Sequence, residues 1–260
     1  MKMQRIQEMK KLFISKQSIT NKELCDTFGI SIETVRRDLS YLESEGFIRK
    51  VYGGAALAEV SQAAIAVDEW DIRMKTNSMS KLRIAEKAVE LIPDGSTIFL
   101  DSGTSVYEVS TFLASRTNIT VLTNSIRIAE VLGMNPKIMV YFIGGVIKAD
   151  TLASVGIFAS EFLSNFYHID YAVISCDGFV PNLGTTEQSL ELSILKKQLI
   201  SKTGKIILVV DHSKIGAPGN CLCCPIDKID TVVTDEGTSP EVLESLKKSN
   251  INVVVAGSIK

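Results

Sequence analysis

The sequence predicts two joined folds: a mostly α-helical winged helix-turn-helix, then a larger α/β domain with a mainly parallel sheet. Three observations lead there. Of the 260 residues, 1–55 hold ten basic and seven acidic side chains, whereas the remaining 205 hold 18 and 23. Helical periodicity, interrupted by a capping pattern and a glycine, fills the start of the chain. From about Arg73 onward, short apolar runs alternate with helical patterns, as when helices cross over between parallel strands. The expected boundaries are 1–56 for the first domain, 57–74 for a linker and 75–260 for the second domain.

Ile6, Met9, Leu12 and Phe13 recur at helical spacing and place a first helix over 3–16. Thr20 followed by Glu23 is a capping box, in which hydroxyl and carboxylate satisfy free N–H groups at a helix start. It opens a short helix with Leu24 and Phe28 facing inward, ended by Gly29. Ser31 caps a third helix over 32–45, stopped by Gly46. At about 100° per residue, Ile32, Val35, Leu39 and Leu42 share its inward face. Glu33, Arg36, Arg37 and Ser40 share the outward face, flanked by Thr34 and Tyr41. Two adjacent arginines there suit guanine edges or phosphates of double-stranded DNA. Residues 47–54 alternate and end in a glycine turn, predicting a hairpin wing that offers Arg49 and Lys50 to the DNA backbone. Pattern alone leaves open a helical protein-interaction module with a solvated charged face.

Arg5, then Ser31-Ile32-Glu33-Thr34-Val35-Arg36-Arg37-Asp38-Leu39, then Tyr52-Gly53-Gly54-Ala55 resembles the N-terminal signature of the DeoR family of bacterial transcriptional repressors. The resemblance continues to about Glu236. It implies a winged helix on operator DNA, joined to a domain that senses a phosphorylated sugar-type metabolite. Tyr52 departs from the pattern, which more often carries His before the two glycines.

In the second domain the expected strands are 97–100, 119–122, 139–143, 171–175, 205–210, 230–234 and 252–256. The expected helices are 81–91, 106–114, 126–132, 158–166, 189–201 and 240–248. Ligands of such sheets sit beyond the carboxyl ends of the strands. The residues found there are Asp101-Ser102-Gly103-Thr104-Ser105, Thr123-Asn124-Ser125, Gly144-Gly145, Asp177-Gly178 and Asp211-His212-Ser213-Lys214. Turn chemistry explains any one of these motifs, but five at one sheet edge favour a polar pocket. Ser102 to Ser105 lead from a strand into a helix whose N-terminus presents free N–H groups and the positive dipole end, so the ligand should be anionic. The glycine spacing and lysine of a nucleotide P-loop are missing.

Lys81, Lys196 and Lys214 are the candidate neutralising cations. Asp101, Asn124, Asp177 and Asp211 are candidates for sugar hydroxyls. Gly184-Thr185-Thr186 is expected to begin a further helix with a second hydroxyl-rich N-terminus. Lys196, beside Lys197, is the lysine most open to being a solvated surface charge. The resemblance matches these positions, with Gly156, Gly184 and Thr186 among them; Ser105 stands where threonine is commoner. The second domain also resembles the ribose-5-phosphate isomerase fold. Lys196 then falls where that enzyme's catalytic carboxylate would stand. A cation cannot be the general base, so the resemblance implies a pocket that binds phosphosugars without turning them over. The alternative is a sugar-phosphate isomerase-like enzyme with an accessory DNA-binding module.

Other classes are disfavoured. Two histidines leave no multi-histidine metal site, and one tryptophan argues against a stacking platform for single strands. Cys221, Cys223 and Cys224 lack a second ligand pair nearby and read as small apolar filler in a loop. No metal and no cofactor is expected. No apolar stretch reaches membrane-span length and no secretion signal is visible, so the expectation is a cytoplasmic protein with reduced thiols and no membrane partner. Its expected partners are double-stranded operator DNA, a phosphorylated sugar or polyol effector, and copies of itself in a homodimer or homotetramer, because helix-turn-helix proteins read repeated half-sites.

Overall fold

The computed structural model describes residues 2–58 and 70–257, and the chain divides into two units, Met1–Asp71 and Ile72–Lys260. The first contains α1 (Lys2–Lys16), β1 (Ser18–Thr20), α2 (Asn21–Phe28), α3 (Ile32–Ser44), β2 (Ile48–Val51) and β3 (Gly54–Leu57). Thr20 Oγ1 accepts the Glu23 N–H at 3.2 Å while the Glu23 carboxylate accepts the Thr20 N–H, which completes the capping box. Gly29 takes the left-handed conformation that ends α2. Ser31 Oγ accepts the Thr34 N–H and starts α3. Ile6, Met9, Phe13, Leu24, Val35, Leu39 and Leu42 form the core with Ile48, whereas Ile32 is only half-buried.

The wing is larger than expected. β2 and β3 pair antiparallel with Val51 opposite Gly54, leaving Tyr52-Gly53 as the turn. β1 pairs with the far side of β3, giving a three-stranded sheet in the order β1-β3-β2. Of the expected linker 57–74, Leu57 lies in β3, 59–69 lie outside the described residues, and 70–75 are helical.

The second unit runs α4 (Ser78–Glu90), β4 (Thr97–Leu100), α5 (Thr104–Leu113), β5 (Ile119–Thr123), α6 (Ile126–Gly133), β6 (Ile138–Phe142), β7 (Val146–Lys148), β8 (Ala153–Val155), α7 (Ile157–Ser164) and β9 (Ile169–Ile174). It continues with β10 (Gly178–Val180), β11 (Gly184–Glu187), α8 (Leu190–Ile200), β12 (Thr203–Val209), β13 (Cys221–Pro225), β14 (Thr231–Asp235), α9 (Pro240–Lys248) and β15 (Asn252–Ala256). All seven expected strands join one parallel sheet, ordered β15-β14-β12-β9-β4-β5-β6. Ile98 and Leu100 point into a core with Ile84 of α4, Val109 of α5 and Ile128 of α6. Phe99 points to the other core, with Leu163 of α7, Leu195 of α8 and Leu246 of α9. A strand buried on both faces reads as an unbroken apolar run. The chain proceeds outward from β4 to β6, then returns to β9 on the other side of β4, so the topological switch point lies between β4 and β9.

Two antiparallel additions were not expected: the β7–β8 hairpin and a sheet ordered β10-β11-β13. They correct two expectations. Gly184-Thr185-Thr186 forms strand β11 and starts no helix; α8 begins at Leu190, capped by Ser189. Both hydroxyls are used across the sheet, Thr185 Oγ1 accepting the Cys224 N–H and Thr186 Oγ1 donating to the Gly178 carbonyl, each at 3.0 Å. Cys221, Cys223 and Cys224 lie in β13 and not in a loop. No helix among the described residues is long and apolar enough to cross a membrane.

Candidate functional site

The outward face of α3 is as the periodicity predicts. Glu33, Arg36, Arg37 and Ser40 are exposed, Ser31 is exposed at the cap and Thr34 is half-buried. Arg49 of β2 is exposed as well. Lys50 is tied back to α3: its Nζ pairs with Glu43 at 2.8 Å and donates to Ser40 Oγ at 2.9 Å. Sequence reasoning missed Asp38. It is buried in α3 and its Oδ2 accepts from Arg5 Nε of α1 at 2.8 Å, pinning the two helices together. The signal was available, since Asp38 stands three residues after the inward Val35.

In the second unit the residues following β12, β9, β4, β5 and β6 meet along one edge. Asp101 follows β4 and is fully buried. Its Oδ2 accepts the Ser175 N–H at 3.0 Å across the switch point. Gly103 caps α5 without a capping side chain, so the first amides of α5 remain for another acceptor. A Cβ at Gly103 would collide with the Ser175 hydroxyl, which explains the glycine. Thr104 and Ser105 are buried in the first turn of α5. Next along, Thr123 Oγ1 accepts the Ser125 N–H, Ser125 Oγ caps α6, and Asn124 Nδ2 donates to the Ser154 carbonyl. Gly144-Gly145 follows β6, with Ser154 Oγ bonded to the Ile143 carbonyl beside it. Three buried polar atoms here have no partner among the described residues: Asp101 Oδ1, Ser102 Oγ and Asn124 Oδ1. Buried polar groups are ordinarily paired, so three orphans along one edge mark a place for a polar ligand.

The three lysines differ. Lys196 is not a solvated surface charge. It is buried between two carboxylates, 2.6 Å from Asp101 Oδ2 and 2.5 Å from Glu187 Oε1. Burial alone would lower the ammonium pKa, but Asp101 and Glu187 outweigh it and hold it well above the usual lysine value. Burial pushes the Glu187 carboxyl up to about 7. Lys81 is also buried, yet its Nζ donates to the Arg73 and Thr76 carbonyls and makes no ion pair among the described residues. Burial lowers its pKa, against the pull of Asp211. Lys214 Nζ donates to the Cys176 carbonyl at 2.7 Å.

Asp211 Oδ1 accepts from Asn77 Nδ2 and from the Ser213 N–H, each at 3.0 Å, so this oxygen is satisfied within the chain. His212 points away and pairs with Asp235 at 2.8 Å. Asp177 is exposed and accepts the Gln188 N–H. Gly178 is buried in β10, where a Cβ would meet the Ala217 carbonyl. Gly184 packs on the Cys224–Pro225 backbone at the far end of β11, so the structure gives it and Thr186 packing duties within that sheet. Burial pushes the thiols of Cys176 and Cys223 up to about 12 and about 11, which keeps them protonated. A separate groove of about 670 Å³, lined by Lys197, Thr203, Leu222, Cys223 and Asp227, lies by the amino end of β12 and includes none of the residues that follow β4, β5 and β6. Ser175 and Glu187 are the pocket residues that sequence reasoning missed.

Residues 76–236 match the family model described as the DeoR C terminal sensor domain, and residues 5–61 match the DeoR-like helix-turn-helix domain. The chain is similar to the HTH-type transcriptional regulator IolR of Bacillus subtilis, 31% identical over 98% of this chain and 100% of the relative. It is 34% identical to an HTH-type transcriptional regulator of Haemophilus influenzae over 92% of each chain. It is 29% identical to the glycerol-3-phosphate regulon repressor of Escherichia coli, over 90% of this chain and 91% of the relative. Among solved structures, ribose 5 phosphate isomerase A from Neisseria gonorrhoeae is similar at 19% identity and a TM-score of 0.40, over 52% of each chain.

Proposed function

The chain belongs to the DeoR family of helix-turn-helix transcriptional regulators, and from that membership we propose that it represses a sugar or polyol operon and releases operator DNA when a phosphorylated sugar or polyol binds its sensor domain. The observation that carries the effector half is the set of orphaned buried atoms, Asp101 Oδ1, Ser102 Oγ and Asn124 Oδ1, beside the uncapped N-terminus of α5. In this reading the amides and hydroxyls of Ser102 to Ser105 take the phosphate, Lys81 and Lys214 balance its charge, and Asp101 and Asn124 accept from sugar hydroxyls. Lys196 is already matched by two carboxylates and holds Asp101 in place. Arg36 and Arg37 enter the major groove with Ser31, Glu33, Thr34 and Ser40 around them, and Arg49 grips the backbone. Release follows by linkage: the effector prefers the conformation that holds DNA poorly. One relative is named as a repressor of a glycerol-3-phosphate regulon, which joins repression to a phosphorylated polyol. Each chain has one reading helix, so a homodimer or homotetramer reads the operator.

One observation favours the enzymatic alternative. Glu187 is a buried carboxyl near neutrality in the pocket, as a general base would be. Its bond to Lys196 withholds it from a substrate, and turnover of pentose or hexose phosphates by the purified chain above background would reverse this choice.

The test combines a thermal-shift panel of sugar and polyol phosphates with operator binding. Arg37→Ala lowers operator affinity about tenfold or more, the cost of a lost base contact, and leaves the effector's thermal shift intact. Thr104→Asp sets a carboxylate against the phosphate, abolishing the shift and leaving DNA binding that no longer responds. A wild-type chain that no sugar or polyol phosphate stabilises overturns the reading.

A further inference from the structure

The residues from Ile138 to Ile147 form an uncharged run of ten between Lys137 and Lys148. β6, which opens it, is the outermost strand of the parallel sheet. Exposed edge strands of soluble proteins are commonly guarded by charge, proline or a covering element. β6 carries none of the first two; Ile138 and Val140 pack against the core on one face, while Met139, Tyr141 and Phe142 are exposed. The apolar surface continues past the strand. Tyr141 stacks edge-on against Phe166, just beyond the end of α7, with ring centroids 5.6 Å apart. At the other end Val146 of β7 pairs with Val155 of β8, next to Gly156, the residue before α7. The first contact brings the end of α7 to β6, the second brings its start to the β7–β8 hairpin, and its first residues, Ile157 and Phe158, are exposed as well.

We propose that this surface, formed by β6, the outer strand of the β7–β8 hairpin and the start of α7, is the two-fold interface between two copies of this chain. Three arguments select a second copy over another partner. The first is size: Met139, Phe142, Val146, Ile147, Ile157 and Phe158 are between 38% and 69% exposed, which at roughly 150–250 Å² per large side chain leaves about 700 Å². A standard interface takes about 800 Å² from each partner, and a monomer rarely shows an apolar patch above a few hundred Å². The second is composition. A surface whose exposed side chains are mainly apolar matches the self-association of like chains, whereas partners that come and go use interfaces as polar as the rest of the surface. The third is symmetry. An edge strand meeting its own copy antiparallel is self-complementary about a two-fold axis, and a chain with one reading helix needs that axis to reach two half-sites. This last argument rests on the operator-binding reading; the first two do not.

The test measures mass on the full chain without DNA, by sedimentation equilibrium at micromolar concentration. The wild-type chain sediments as two chains or more, and Met139→Lys combined with Phe158→Glu halves that mass while circular dichroism stays native. Val255→Lys, on β15 at the opposite edge of the sheet, leaves the mass unchanged. Should the double variant fail to fold, Ile157→Glu alone reads the same surface. A wild-type monomer overturns the proposal, as does a folded double or single variant of undiminished mass, or dissociation by Val255→Lys. Mass read without DNA keeps the two readings apart: a dimer that ignores operator DNA would sink the functional reading and leave this interface standing.

Discussion

Lys196 sits between Asp101 and Glu187, where water does not reach any of the three. Taking the cation away leaves two carboxylates facing each other, and breaking a buried pair costs about 3–5 kcal/mol. Lys196→Met should therefore lower stability by that order in urea titrations. The pH dependence has a definite sign. A carboxyl raised to about 7 in the folded state, as Glu187 is, contributes stability that is lost as pH rises through that value. Without Lys196 the loss deepens, so the variant is best preserved on the acid side. Lys81 gives a second prediction. Burial lowers its pKa in the free protein, and an anion beside it would raise it again. Effector affinity should fall as pH rises past the lowered value, and Lys81→Met should flatten that alkaline limb in calorimetric titrations. The inward placing of Lys196 was legible: Leu192, Leu195 and Leu199 mark the buried face of α8, and Lys196 shares it. Its partner was not, because Glu187 lies in a separate sheet and no spacing along the chain connects the two.

Elements differed in legibility for a physical reason. The five inner strands of the parallel sheet are buried on both faces over most of their length, so each announces itself as an apolar run, and the edge strands β6 and β15 are apolar runs too although partly exposed. β11 is equally buried but reads Gly-Thr-Thr-Glu. Its polar groups are satisfied only once β10 and β13 lie alongside, and nothing local distinguishes that from a hydroxyl-rich helix start. The β1 strand is three residues long and becomes recognisable only through its pairing with β3. At the site the decisive element is the entry to α5. Gly103→Ala would drive a methyl into the Ser175 hydroxyl, turn that hydroxyl off its bond to Asp101 and place a side chain at a positive φ at the start of α5. Overpacking of this kind costs about 1–3 kcal/mol. The expected outcome is a chain that still binds operator DNA but has lost its effector-induced thermal shift. A full shift in that variant would remove the N-terminus of α5 from the pocket.

At the scale of the whole molecule, a net charge of −2 conceals a basic reading unit and an acidic sensor that sets buried lysines among carboxylates. The sensor is itself two halves, strands β4 to β6 and strands β9 to β15, joined side by side where β4 meets β9. The bonds across that seam, Asp101 to Ser175 among them, link residues 74 apart in the chain. Pairings so far apart carry a loop-closure cost that local contacts do not and are natural late steps in folding and early ones in opening. A ligand lodged beside Asp101 would rivet the seam. Under the proposed function the effector would then govern how long a molecule survives as well as where it binds: chains emptied of ligand would open more often, and loaded ones would resist degradation. Pulse proteolysis with and without effector should show the loaded chain cleaved more slowly, with the difference concentrated in the sensor. A cell that has recently fed on the sugar would carry a larger, older pool of disarmed repressor, ready to silence the operon as soon as the effector is spent.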